Sequence, residues 1–187
     1  MRRLMNDVNT NLNQQILELS CTLTNLLFQH DEANPKFDVA PTSRSDLEDV
    51  SKFQMDWMKI FKEQRLKTSK FMCTVRDLTT GEIVGFTAGK YRPRDCDGSR
   101  VSIDFLERRK DSTKGYMIKL AIMLAYALAN ATEAKCIKVG NPVPGIIGLY
   151  KAEMPNSELH KRGNHSFIIA SLDASIVKKQ LDEFLSY

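Results

Sequence analysis

The chain has 187 residues, of which 42% are hydrophobic and 27% charged, and a formal net charge of +4. That length and composition predict one domain over residues 1–187 with a core of its own, and exclude a disordered or fibrous chain. The charge is mild and mixed in sign, as in Lys52, Asp56, Lys59, Lys62, Glu63 and Arg65, which reads as solvated helix faces; no nucleic-acid partner is expected, and an acidic or phosphorylated ligand fits the remaining charge better.

The first residues, MRRLMNDVNTN, carry a basic pair but no apolar stretch of the kind a secretory signal needs. Leu12, Ile16, Leu19, Leu23 and Leu26 then recur three and four apart and predict a first helix, broken by HDEANPKF. Ser45-x-x-Glu48 has the form of a capping box. With Leu47, Val50, Phe53, Trp57 and Phe61 it predicts a second helix opening at Ser45, whose aromatic stripe is core, with an edge able to line a pocket. At residues 70–91 the period changes: KFMCTVRDL and EIVGFTAGKY flank a glycine-containing turn and predict a β-hairpin. RPRDCDGS is turn chemistry throughout. Val101, Ile103 and Phe105 alternate with Ser102 and Asp104, predicting a half-buried strand with Asp104 on the face opposite Ile103 and Phe105. RKDSTKG follows, and then a helix that is apolar nearly all round. KCIKVGN reads as a strand, PGIIGLYKAEM as a helical segment, SFIIASL as a strand and DASIVKKQLDEFLSY as an amphipathic closing helix. Helices, then a meander, then strand–helix–strand–helix predicts an α/β layer architecture on one mixed sheet.

Cys21, Cys73, Cys96 and Cys136 are scattered without a C-x-x-C pair, which reads as reduced thiols in a cytosolic setting. His160 and His165 have no cysteine or carboxylate partners at ligand spacing, so no metal is expected. The apolar run at 116–129 is interrupted by Lys119 and shorter than the ~20 residues of a bilayer span, so the expectation is a soluble, cytoplasmic protein without a membrane partner.

Taken in order, these segments resemble the GNAT superfamily of acetyltransferases over roughly residues 4–153. GEIVGF is similar to the family's third strand, LLFQHDEANPKF to the end of its first helix and the turn beyond, and SRVSIDFLE to its fourth strand, which leads to a pyrophosphate-binding loop and third helix. IIGLYKAEM resembles the family's Leu-Tyr-Glu-Lys-x-Gly-Phe segment, with Tyr150 on the tyrosine. The resemblance implies a GNAT-like α/β fold: a mixed, mostly antiparallel sheet flanked by helices, with a C-terminal helix. It implies acetyl-coenzyme A as co-substrate, no metal, and an amine acceptor that the sequence does not name.

The physical reading of the turn agrees with that implication. A helix N-terminus presents unsatisfied N–H groups and the positive end of the macrodipole, a ready site for pyrophosphate. Arg109, Lys110 and Lys114 add charge, Ser112 or Thr113 supplies a cap or a hydroxyl, and Gly115 removes a Cβ where a ligand approaches. The alternative is a plainly capped buried helix with solvated lysines. By resemblance the cofactor residues are Leu106, Glu107, Lys110, Ser112, Thr113, Lys114, Gly115, Tyr116, Met117, Asn141 and Tyr150, with a backbone N–H near Leu106 and Glu107 polarising the thioester carbonyl where the fourth strand parts from KCIKVGN. The family pattern Gln/Arg-x-x-Gly-x-Gly/Ala becomes Ser112-Thr113-Lys114-Gly115-Tyr116-Met117 here, and Val143 stands where a family asparagine often contacts the cofactor, with Asn141 two residues away. A methionine at 117 predicts displaced or weaker pyrophosphate binding.

Amine acylation needs a deprotonated nucleophile, an oxyanion stabiliser and a proton for the leaving thiolate. By resemblance Tyr150 is the general acid and Asp104 or Glu107 the base; Tyr150 as a core residue and Asp104 as a solvent-facing acid are the plainer alternatives. Cysteine nucleophilic catalysis is disfavoured, because nothing places His160 or His165 near Cys73 or Cys136. The departures keep a second class open, a GNAT-fold binding module without turnover. In the closing helix, Ile176, Val177, Leu181, Phe184 and Leu185 form an apolar face. It is expected to cap SFIIASL as an edge strand, and a homodimer through that face is the alternative.

Overall fold

The fold is described from a computed structural model, for residues 2–31, 36–48, 50–64, 67, 69–92, 98–109 and 115–172. In chain order the elements are α1 (Arg2–Asp31), β1 (Phe37–Pro41), α2 (Trp57–Gln64), β2 (Lys70–Asp77), β3 (Ile83–Arg92), β4 (Arg100–Arg108), α3 (Tyr116–Ala131), β5 (Cys136–Gly140), α4 (Ile147–Glu153), β6 (Glu158–Arg162) and β7 (His165–Ser171). Among the described residues seven strands form one sheet in the order β1-β2-β3-β4-β5-β7-β6. Of their pairings only β4 with β5 is parallel; the other pairs are antiparallel. This is the mixed, mostly antiparallel α/β sheet expected from the sequence. The segment RPRDCDGS falls largely, and the predicted closing helix wholly, outside the described residues.

One face of the sheet carries the larger core, in which Phe28 and Cys21 of α1 and the apolar length of α3 meet Val75, Val101, Ile103 and Val139. The other face carries Leu47, Trp57, Met72, Phe86 and Ala88, with the Trp57 ring stacked on Phe86 at 5.0 Å.

Helix α1 turns a different face inward from its leucine stripe. Leu12, Leu19 and Leu26 are 54%, 65% and 49% exposed, while Ser20, Cys21, Thr24 and Phe28 are buried. Asn25 explains the orientation: its amide donates to Val39 O at 2.9 Å and accepts Val39 N–H at 2.8 Å, so it satisfies the backbone of edge strand β1 as a neighbouring strand would.

The predicted second helix is corrected as well. Ser45–Leu47 and Val50–Lys52 are separate 3-10 turns, and α2 begins only at Trp57. In a continuous helix the Gln54 N–H would bond to the carbonyl four residues back; instead it donates to Glu107 at 2.5 Å, as Met55 N–H does at 3.0 Å. No capping box forms: Glu48 N–H bonds Ser45 O, and it is Asp46 that accepts Ser43 N–H at 2.8 Å while engaging Arg76 and Thr74.

Two strands escaped the sequence reading. Phe37–Pro41, of which the sequence reading assigned only Phe37, as the end of a break, is β1, and the partner of SFIIASL is β6, paired from Glu158↔Ile169 to Arg162↔His165. SFIIASL is therefore interior, between β5 and β6, and among the described residues the edge strand on that side is β6.

Candidate active site

Strands β4 and β5 pair in register from Arg100↔Cys136 to Ile103↔Val139 and then part. β4 continues to Arg108 beside β3, and β5 continues toward β7, with Asn141 N–H donating to Ser166 O at 2.7 Å. A cleft opens between the arms. The cause is local: in the β3–β4 ladder Ala88 faces Phe105 and Gly89 faces Ile103, so Asp104 is an extra residue in β4. Such a bulge bends the strand and increases its twist. It also reverses the alternation of faces. Phe105 pairs with Ala88 of the smaller core and is 37% exposed, so it does not share the face of Val101 and Ile103 as the alternation predicts.

Asp104 lies at the parting, with its Oδ2 2.7 Å from Lys90 Nζ. A Cβ placed on Gly140, across the cleft, would sit 3.7 Å from Asp104 Oδ1. Glu107 is engaged elsewhere. One carboxylate oxygen takes Gln54 N–H and the other takes Met55 N–H and the Trp57 indole N–H at 2.7 Å. Leu106 packs against the larger core. Arg109 turns back onto β3, its N–H on Val84 O at 2.7 Å and its guanidinium 2.9 Å from Glu82.

Gly115 opens helix α3. Gly115 has φ +90° and nothing within 4 Å of where a Cβ would stand, a backbone state glycine takes without strain. Tyr116 is 37% exposed and packs its ring against Phe28 and Phe37. Met117 is 3% exposed. A Cβ on Gly85 would come within 2.6 Å of its sulfur, so the methionine's bulk fills the core beneath Gly85 and the predicted displacement of a pyrophosphate by that side chain has no basis. Lys110, Ser112, Thr113 and Lys114 lie outside the described residues.

Tyr150 of α4 is 4% exposed, within the cluster that holds Met117 and Val139, and burial pushes its phenol up to about 12. Asn141 is exposed, with φ +45°, and Val143 is 61% exposed. The residues present fit an acyl-coenzyme A: the open left-handed glycine at a sixteen-residue helix start suits the pyrophosphate, and the parted strands suit an extended thioester arm.

No family model matches the chain, and no curated protein matches it by sequence. Solved structures do match by shape. An acetyltransferase from Thermus thermophilus superposes with a TM-score of 0.56 at 13% identity, over 74% of this chain and 98% of that one. The NatC complex bound to Gag peptide and CoA gives 0.55 at 12% identity, over 74% and 100%. AtaTR bound with AcCoA gives 0.55 at 9% identity, over 78% and 98%. The chain has the GNAT acetyltransferase fold.

Within the GNAT fold, sequence reasoning missed Lys90 and Trp57 as neighbours of the two acids. Lys90 follows Gly89 near the end of a hairpin strand, and nothing in the spacing marks it as the partner of a bulged residue. The histidines left without assignment are surface groups: His160 stacks on Phe167 with ring centroids 5.4 Å apart, and its Nε2 lies 3.4 Å from Glu158. Among the described residues no cluster of three or more His, Cys, Asp or Glu could hold a metal ion, and no helix is long and apolar enough to cross a membrane.

Proposed function

We propose that this protein binds an acyl-coenzyme A between β4 and β5, with the pyrophosphate at the N-terminus of α3, and transfers the acyl group to an amine. The observation that carries the reading is the parting of β4 from β5 immediately after Ile103↔Val139, together with an open Gly115 turn at the start of α3. Backbone N–H groups of Leu106 and Glu107 polarise the thioester carbonyl, and Gly115, Tyr116 and Met117 meet the phosphates with main-chain groups, with Asn141 at the opposite wall. Lys110, Ser112, Thr113 and Lys114 complete the phosphate loop in this reading.

Asp104 is the base that takes a proton from the acceptor's ammonium and so frees the amine that attacks. Glu107 positions the Gln54–Trp57 segment and does not act as a base, because three N–H groups already occupy its carboxylate. Tyr150 stays neutral at physiological pH. A thiol ionises at ~8.5, so full transfer from a phenol at about 12 to the leaving thiolate is uphill by about 3.5 units, or ~5 kcal/mol. Tyr150 therefore donates a hydrogen bond to the departing sulfur, and the proton that neutralises it comes from the ammonium formed when the amine attacks.

Calorimetry with acetyl-coenzyme A, followed by thiol release against amines and peptides, tests this reading. Binding lost in Gly115→Val, with the fold retained, supports the site; no binding by the native protein at millimolar ligand rejects it. A second reading, a binding module without turnover, is favoured by one observation: both candidate bases are engaged, Asp104 by Lys90 and Glu107 by the 54–57 segment. Tyr150-dependent turnover excludes it.

A further inference from the structure

A cavity of about 270 Å³ lies between α1, α2 and the sheet, lined in part by Leu128 and Thr132 at the far end of α3. At 1.5 Å per residue those positions stand ~20 Å along the helix from Gly115, so the cavity is separate from the β4–β5 cleft. It exists because β1 stops at Pro41, opposite Cys73, and leaves Lys70–Met72 of β2 without a strand on the outer side among the described residues. α1 roofs the gap with Ile16 and Leu17, and the last turn of α2 closes one end with Phe61 and Gln64.

Gln64 is the informative residue. It is 4% exposed, lines the cavity, and its Oε1 is buried without a hydrogen-bond partner. A buried amide oxygen left unmatched destabilises the fold, a cost a bound donor removes. Two other polar walls are matched: the Tyr91 hydroxyl donates to Thr132 O at 3.0 Å, and the Thr42 and Thr74 hydroxyls bond to each other at 2.9 Å. Lys67 N–H donates to Gln64 O and Lys70 N–H to Lys67 O, each at 3.0 Å, and both lysines line the cavity. Burial and then Lys67 hold the Lys70 ammonium below its ordinary range; Lys90 acts in the same sense, while Glu63 and Asp104 oppose it. Asp104 is already paired with Lys90, which leaves Glu63 opposing the two lysines, Lys67 and Lys70, at the rim of a largely apolar chamber.

We propose that this cavity is a second ligand site, taking a small organic acid that has an apolar body and one hydroxyl or amide N–H group. The carboxylate sits between Lys67 and Lys70, the donor satisfies Gln64 Oε1, and the body packs against Leu17, Phe61 and Leu128.

Three matched probes test it on the full chain by ligand-observed NMR and calorimetry: 3-phenyllactate, 3-phenylpropanoate without the hydroxyl, and 3-phenylpropanol without the charge. Phenyllactate is expected to bind best, with the deoxy acid weaker by about three- to tenfold and the alcohol by about tenfold or more. Gln64→Leu should erase the preference for phenyllactate over the deoxy acid alone. The double change Lys67→Met, Lys70→Met should erase the preference for acid over alcohol alone, and Leu128→Phe should block all three with the fold intact by circular dichroism. No binding of any probe at millimolar concentration, preferences unchanged in the variants, or displacement of the probes by acetyl-coenzyme A would each overturn the assignment.

Discussion

Trp57 donates its indole N–H to Glu107 at 2.7 Å, which ties the start of α2 to the end of β4. The same carboxylate receives the Gln54 and Met55 N–H groups, so one side chain fixes the segment above the cleft. Glu107→Ala leaves three donors without their acceptor and is expected to cost roughly 2–4 kcal/mol, since hydrogen bonds to charged groups contribute about 1.5–3 kcal/mol each and water replaces part of the loss. Glu107→Gln keeps one acceptor oxygen and should lose about half as much. Trp57 is the single tryptophan, so urea unfolding followed by its fluorescence reports the segment directly. A native-like midpoint for Glu107→Ala would refute the latch.

The orientation of α1 makes opposite predictions for two apolar residues nine positions apart. Phe28→Ala removes a side chain that is 1% exposed and is expected to cost about 3–5 kcal/mol. Leu19→Ala, at a position 65% exposed, should change stability by no more than ~0.5 kcal/mol. Asn25→Leu should cost roughly 1–3 kcal/mol despite its gain in hydrophobicity, because it strips both partners from the Val39 backbone. Denaturant midpoints for the three variants check the face that is buried.

Gly85 and Gly89 lie on β3 against neighbours of different kinds. A Cβ at Gly89 would fall 1.9 Å from Ser102 O, and at Gly85 2.6 Å from Met117 Sδ and 2.9 Å from Glu107 O. Backbone cannot give way as a thioether can. Gly89→Ala is therefore expected to prevent folding, or to cost more than about 4 kcal/mol. Gly85→Ala should be milder and be eased, though not abolished, by adding Met117→Ala. Equal losses for Gly85→Ala with and without Met117→Ala would show that the Glu107 carbonyl alone sets the cost.

How much of this was legible in the sequence depends on where each element draws its stability. Periodicity found α1, α3 and the β2–β3 hairpin because their patterns are long and set by the chain itself. It missed β6, whose residues Glu158–Arg162 are all exposed and whose strand geometry comes from pairing with β7. It ran residues 45–61 together as one helix because the apolar spacing is continuous, whereas the break is imposed by Asp46 and Glu107, side chains acting across the fold. The turn at Gly115 was marked by its composition, and the parting of β4 and β5 by family resemblance. The bulge that parts them was not visible: Phe105 continues the apolar alternation past Asp104, and only the ladder against Ala88 and Gly89 reveals the extra residue.

Tyr150 carries a prediction with two readouts. Its phenol titrates near 12 in the fold against an ordinary value of 10.0, the shift arising from burial. A folded-state value raised above the unfolded one means that the unfolded chain releases this proton first as pH rises. The contribution is complete below pH 10 and is lost as pH climbs from 10 toward 12, by at most about 2–3 kcal/mol. Tyr150→Phe has no proton to lose, so its melting temperature should fall less steeply than the native one over that interval. Tyr126, also shifted upward by burial, remains as common background in both proteins. At neutral pH the same variant should retain acetyl-coenzyme A binding and lose turnover roughly 10²-fold, the scale for removing one preorganised donor from a developing charge. Parallel alkaline melting curves would place the phenol in contact with water, and unchanged turnover would remove Tyr150 from the reaction.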